Sequence, residues 1–308
     1  MTPDADPPWK ARWRGIRRLE VLRAASVTPL MRRITMGGPE FAGLHGGPNL
    51  KLILPPRPGA ELELPPRAPD GKALWAEGER RPVVRTYTVS RIDAAAGELD
   101  VDFVLHGDHG EEGVASGWAR RARPGDPIGA AALGGRTVRP AARYIIAGDH
   151  TALPGIANIL AALPDTARGE AFIEVPGAEE EWPLRRPPGV AVTWLHHGPE
   201  GAGRTDGLAR AVQALDVAPG EDVFGWVGCE SIAARAIRVH LRDVWRLDRR
   251  QMLVIGYWKL GMSETEYGQR LDHDRDEDYH ATAREEEAQA HAPAQDDHPH
   301  PHRHVPAQ

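Results

Sequence analysis

A single cysteine, Cys229, stands among the 308 residues. Its solitude excludes an intrachain disulfide, a thiolate-held cluster and a CxxC redox pair. Any redox chemistry must therefore come from a bound cofactor. Long apolar runs are missing too: no stretch approaches the roughly 18 consecutive apolar residues of a membrane span. Met1 to Lys10 (MTPDADPPWK) also lacks the apolar run of a signal peptide. A cytoplasmic chain without membrane insertion is expected, working as a monomer. Basic charge is not concentrated either. Residues 272–308 hold ten Asp and Glu against three Arg, a net of −7 against −6 for the whole chain, so residues 1–271 are close to neutral at about +1. A nucleic-acid surface, which needs a basic stripe, is not expected. Internal repeats and a complete GxGxxG fingerprint are absent as well.

What remains is enough for two ordinary domains with separate cores. Residues 17–28, 30–36 and 50–54 are β-leaning, and 83–91 and 98–106 are clear strands; the last alternates Leu99, Val101, Phe103 and Leu105 on one face. Residues 55–82, rich in Pro, Gly and charge, read as a surface hairpin or loop. This is the pattern of an antiparallel β-barrel. After Pro140 strands alternate with helices: strands at 144–147, 170–175, 190–195, 223–227 and 252–255, helices at 152–163, 207–215 and 232–245. That is an open α/β sheet of parallel strands, which binds ligands at the carboxyl ends of its strands. Gly148-Asp149-His150-Thr151, Gly228-Cys229-Glu230-Ser231 and Gly256-Tyr257-Trp258-Lys259 follow three of those ends. The expected organisation is a flexible N-terminus at 1–15, a barrel at 16–140, an α/β domain at 141–262 and a disordered acidic, His-rich tail at 263–308.

Arg85-Thr86-Tyr87-Thr88 lies mid-strand, with Arg85 and Tyr87 on one face and Thr86 and Thr88 on the other. A guanidinium, an aromatic ring and a hydroxyl are what a dinucleotide flavin uses, for pyrophosphate, ring stacking and the ring's polar edge. An ordinary strand with a surface Arg-Tyr pair would carry the same letters. Downstream, Leu105-His106-Gly107 ends a strand, and the 110–119 stretch GEEGVASGWA opens a helix whose first amides converge where an anion would sit. Ser116 could equally be a plain N-cap. Cys229 reads as a buried apolar thiol, and His196-His197 as a loop pair. The histidines at 298, 300, 302 and 304 read as solvated tail, so no metal site is expected.

The ordered set Arg-x-Tyr-Thr, Asp-Phe-Val-Leu-His-Gly (102–107), Ala-Ser-x-Trp-Ala (115–119) and Pro-Gly-Asp (124–126), followed by the three edge motifs, resembles the siderophore-interacting protein family, a branch of the ferredoxin-reductase-like flavoproteins. The resemblance spans about 16–262. It implies an FAD-dependent reductase that passes electrons from NADPH or NADH to ferric siderophores and releases Fe(II). By motif position it places Arg85, Tyr87, Thr88, His106, Ala115 and Ser116 at FAD, and Asp149, Thr151, Glu230, Tyr257 and Trp258 at the nicotinamide side. Lys51 and Lys259 fall at basic positions suited to an anionic ferric siderophore. No protein acid or base is implied for the electron step. The chain departs from the family at His150, where Glu is usual, and at Cys229, where Gly or Ala is usual; the loop before Ala115 is longer. Two other readings are a related flavin enzyme with free flavin or a quinone as acceptor, and a colourless iron-binding accessory protein.

Overall fold

The computed structural model describes residues 15–41, 47–69, 72–107 and 113–290. The expected flexible N-terminus, up to residue 14, and the His-rich end from residue 291 lie outside the described residues, as do positions 110–112 of the expected helix opening.

The first half closes into a barrel of six strands: β1 (Arg17–Thr28), β2 (Met31–Gly37), β3 (Asn49–Leu54), β4 (Val83–Asp93), β5 (Glu98–Val104) and β6 (Pro127–Gly134). Every neighbouring pair is antiparallel, in the order β1-β2-β5-β4-β3-β6. Closure follows from alternation. Leu50, Leu52 and Leu54 point into one core with Val101, Phe103 and Ile128, and the residues between them face outward. The outer face is tied by ion pairs across strands, such as Arg33 to Asp102 at 2.7 Å and Arg91 to Asp100 at 2.8 Å. The 55–82 excursion contains no regular strand, only the bridge between Arg67 and Ala73. It is nonetheless anchored, because Leu62 is buried with Ile53 and Ala131 in a small second cluster. Helix α1 (Val114–Arg121) follows β5 and packs Ala115 and Ala119 on the barrel core.

The second half is a parallel sheet of β7 (Arg143–Asp149), β8 (Arg168–Val175), β9 (Gly189–His196), β10 (Val223–Glu230) and β11 (Met252–Trp258), in the order β11-β10-β7-β8-β9. Helices α2 (Leu153–Ala162), α3 (Gly207–Gln213) and α4 (Ser231–Asp243) lie between strands. Strand β10 is buried along its whole length, as the centre of a parallel sheet covered on both faces must be. The order places the ends of β7 and β10 side by side, so Asp149 and Glu230 emerge together. Helix α2 docks on the barrel, its Asn158 side chain donating to the Val89 carbonyl of β4 at 2.7 Å.

The expectation of a disordered tail from residue 263 is corrected. Helices α5 (Glu264–Leu271) and α6 (Glu277–Ala290) follow the sheet. Composition misled because the acidic side chains are partnered by arginines of the body. Glu285 pairs with Arg249 and Arg250, and Glu286 accepts from Arg136 and Arg139 at 2.9 and 3.0 Å. Two aromatics supply the apolar anchors: Tyr267 is fully buried, and Tyr279 packs on the cluster that contains Trp226 and Ile255. Ser263 caps α5 by accepting from the Glu266 amide at 3.2 Å.

Candidate flavin and nicotinamide site

Strand β4 delivers the Arg-Thr-Tyr-Thr segment to the boundary between the two domains. Arg85 and Tyr87 stand opposite Leu52 and Leu50, and Thr86 and Thr88 opposite Lys51 and Asn49. Tyr87 leans on Phe103 with ring centroids 4.3 Å apart, and Phe103 meets Trp118 of α1 at 5.6 Å. A line of rings thus joins β4 to the helix that was expected to seat an anion. Burial pushes the Tyr87 phenol above its ordinary range, so its hydroxyl stays protonated.

Thr86 is the polar centre of this edge. Its amide donates to both carboxylate oxygens of Glu264, at 3.0 and 3.2 Å, and its hydroxyl donates to Oε1 at 2.8 Å. Lys51 Nζ donates to the same hydroxyl. Arg85 lies beside them, with Nε 3.9 Å from Glu264 Oε2 and a 3.0 Å hydrogen bond to the Thr265 hydroxyl. Burial depresses the Lys51 pKa, and the Glu264 charge works against that depression. An amide and a hydroxyl bound to one carboxylate, with Arg85 3.9 Å from it and Lys51 bonded to that hydroxyl, are chemically a seat for an anionic group. The donor set therefore fits the phosphates and polar ring edge of a flavin dinucleotide, and an anionic substrate beside it.

At the end of β5, Ser116 is almost fully buried, and its hydroxyl is consumed locally. It accepts from the His106 amide at 2.9 Å and donates to the His106 carbonyl at 3.0 Å. Ser116 is therefore not the N-cap of α1. Gly113 holds that position, and a Cβ there would come within 2.8 Å of the His106 ring. His106 is exposed and Ala115 is buried. Any contact from 115–116 to a cofactor runs through their amides, because the Ser116 hydroxyl is already engaged.

Across the boundary, Asp149, Thr151, Glu230 and Trp258 are gathered at the carboxyl edge of the sheet, largely by hydrogen bonds among themselves. Asp149 accepts from the Thr151 amide and hydroxyl, the Glu230 amide and Trp258 Nε1, the last at 2.7 Å. Burial still raises its pKa, against the lowering effect of those four donors. Glu230 caps α4 through the Ile232 amide at 2.5 Å and holds the Leu260 amide at 3.2 Å. These carboxylates shape the edge and leave few acceptors open to a ligand. Tyr257 packs edge-on to Trp226 with ring centroids 6.3 Å apart, and burial pushes its phenol up to about 12. Lys259 Nζ reaches the Ser231 hydroxyl at 3.4 Å. Cys229 is buried, and its thiol is pushed well up by desolvation and by the nearby charges of Asp149, Glu230 and Glu174, which keeps it an unreactive thiol. His196 and His197 turn to different partners, Glu181 and the Gly198 carbonyl. No group of side chains among the described residues is arranged to hold a metal ion, and no helix among them is long and apolar enough to cross a membrane.

His150, one of the departures, belongs to a buried polar cluster between the domains. Its Nε2 lies 3.2 Å from Glu180 Oε2 but makes no hydrogen bond among the described residues. Burial holds its imidazole down at about 4. Between that value and about 6.5 the unfolded chain binds a proton that the folded chain refuses, so stability is full above about 6.5 and falls as pH drops toward 4. The expected loss is about 2 kcal/mol, reduced from the full displacement because the Glu180 carboxylate favours the charged ring. Urea titrations of wild type and His150→Gln at pH 7.5 and 5.0 check this. The variant should lose less stability between the two pH values, and equal losses would remove His150 as the cause.

A closed antiparallel barrel followed by a parallel α/β sheet is the two-domain fold of the ferredoxin reductases. Family models narrow this further: residues 20–137 match the siderophore-interacting FAD-binding domain and 141–261 match the siderophore-interacting protein domain. The chain belongs to the siderophore-interacting protein family, and its cofactor is FAD. It is 34% identical over 257 residues to ferric vibriobactin reductase ViuB of Vibrio cholerae serotype O1, across 82% of this chain and 92% of that protein. It is 28% identical over 249 residues to the NADPH-dependent ferric-chelate reductase of Escherichia coli K12, across 79% and 92% of the two chains. Among solved structures, a siderophore utilization protein from T. fusca superposes with a TM-score of 0.74 at 36% identity, over 84% of this chain and 96% of that one.

Proposed function

We propose that this protein reduces ferric siderophores with electrons drawn from NADPH or NADH, delivering Fe(II) inside the cell. The carrying observation is the meeting of the two half-sites: Asn158 of α2 donates to the Val89 carbonyl, next to Thr88, at 2.7 Å, and the Thr86–Lys51 anion seat lies on the same strand face as Thr88. Arg85 holds a flavin phosphate as a charge-assisted partner, Tyr87 offers its ring, Thr88 offers its hydroxyl to the polar edge of the ring system, and the amides of 115–116 with His106 complete the seat. Asp149, Thr151, Glu230 and Trp258 fix the edge at which the nicotinamide docks. Bound FAD supplies hydride acceptance and single-electron delivery. The protein's own contribution is positioning and exclusion of water, since no side chain is needed to move a proton to iron. Lys51 and Lys259 attract the anionic chelate, and iron is released once reduction weakens its chelation. The ferric reductases among its relatives support the substrate class, and the NADPH-dependent one supports the donor.

Anaerobic mixing with NADPH should bleach the flavin absorption, and a ferric siderophore should restore it faster than free flavin or a quinone does. Restoration by the latter alone would transfer the assignment to another acceptor. Replacing both Lys51 and Lys259 with Ala is expected to raise the apparent KM for an anionic ferric siderophore about tenfold or more, with FAD content unchanged. An unchanged KM in steady-state reduction assays would remove the lysines from substrate binding.

A further inference from the structure

Residues 263–290 form a strap that begins just beyond residue 261, where the family match ends, and returns across the boundary between the domains. Its first helix brings Glu264 onto the Thr86 amide and hydroxyl, and Thr265 onto Arg85. Three further contacts hold it there. Tyr267 is fully buried against Gly256, where an added Cβ would lie 1.9 Å from the phenol oxygen, so the glycine makes room for the strap. The same phenol donates to Asp274 at 2.7 Å, and Ser231, at the start of α4, donates to Asp274 at 2.5 Å. Arg136 and Arg139, just after the barrel, grip Glu286. The turn between the two helices is strained: Asp272, His273 and Asp274 have φ of 45°, 55° and 53° in succession. Each such residue costs on the order of 1–2 kcal/mol in this left-handed region, so the turn persists only while its contacts do.

We propose that Thr86 and Lys51 form an oxyanion seat for the ferric chelate, that Glu264 is its built-in occupant, and that substrate enters by displacing the strap about Gly261–Ser263. This rests on the reductase reading for the identity of the incoming anion. The seat itself is read from the carboxylate that fills it. Glu264 presents two coplanar oxygens to an N–H, a hydroxyl and a cation, which is the presentation a carboxylate or catecholate arm of an iron chelate would copy. Gly261, with φ of 78°, and the turn closed by the Met262 amide on the Lys259 carbonyl at 3.0 Å supply the pivot. The seat would therefore select for anionic chelates, because a neutral or cationic one gains nothing by displacing a carboxylate.

The test uses full-length holoenzyme with Glu264→Ala and Glu264→Gln, the second retaining the side chain's shape. The probes are ferric citrate, iron-free citrate and cationic ferrioxamine B, read by fluorescence quenching of the oxidised protein. Both variants should bind ferric citrate and citrate about tenfold more tightly than wild type, the ratio expected when one charge-assisted competitor is removed. Ferrioxamine B binding should change little, and the gain should shrink with added salt. In wild type, saturating ferric citrate should speed tryptic cleavage at Arg270 or Arg284, both exposed on the strap, severalfold. Unchanged or weaker citrate binding by both variants, with FAD content intact, overturns the proposal. So does a variant that gains FAD affinity and no citrate affinity, since the seat would then be the flavin's. Tighter citrate binding in variants that, like wild type, reduce no ferric chelate would leave the seat standing and remove the reductase reading instead.

Discussion

Arg85→Ala is expected to purify folded and nearly colourless. Arg85 is the cation of the Arg-Thr-Tyr-Thr segment, and its fork is directed at the Val84 carbonyl and at Thr265 of the strap, with no buried carboxylate in bidentate contact. Its loss therefore leaves no buried charge stranded, and the barrel, whose core is built from Leu50, Leu52, Val101 and Phe103, should keep its stability within about 1 kcal/mol. On the proposed flavin reading, what is lost is a charge-assisted contact to phosphate, worth about 2–3 kcal/mol, or roughly a 100-fold weaker affinity for FAD. Arg85→Lys should recover only part of this, because an ammonium cannot reproduce the planar fork. Flavin fluorescence titration of the apoprotein reads the affinity, and far-UV circular dichroism reads the fold. An Arg85→Ala protein that stays fully yellow at micromolar concentration would move the phosphate seat away from β4, to the amides at the start of α1.

Most of the architecture was legible because its signals are local and periodic. Alternation in 98–106 gave the barrel strand with its inward Leu99, Val101 and Phe103, and the strand-helix succession after Pro140 gave all five parallel strands. The edge motifs were found for the same reason, since topology alone puts the residue after a parallel strand at the ligand edge. Sequence reasoning failed where function depends on a partner far along the chain. Glu264 gave no sign that it would meet Thr86, 178 positions away. Summed charge made the segment from 263 read as solvated, whereas its carboxylates answer arginines at 136, 139, 249 and 250. A usable signal was nevertheless present: Ser263 followed three residues later by Glu266 is a capping-box pattern, and Tyr267 and Leu271 are spaced for one helix face. Likewise, Asp149 and Glu230 were expected to meet the nicotinamide because of where they stand. The structure shows their oxygens largely occupied by amides and by Trp258, so that they shape the edge.

The larger stability effect should come from Glu180, a residue that no motif marked. It follows β8 in a short helical turn and is completely buried, yet it accepts from the Thr28 hydroxyl and from the Leu30 amide at 2.9 Å. Both donors sit at the turn between β1 and β2, so one carboxylate of the α/β domain clamps the barrel. Glu180→Ala strands a buried amide and a buried hydroxyl and removes the carboxylate beside His150, at a cost of about 3 kcal/mol. Thermal unfolding should shift down by roughly 5–10 °C. Glu180→Gln keeps an acceptor for the Leu30 amide and should lose less than half of that. Because the clamp joins the two domains rather than either core, the loss should be seen first as a separate early transition in calorimetry, with FAD released in that step as the domains part. A single transition at the wild-type temperature would show that the domains are held by the α2–β4 contact and not by Glu180.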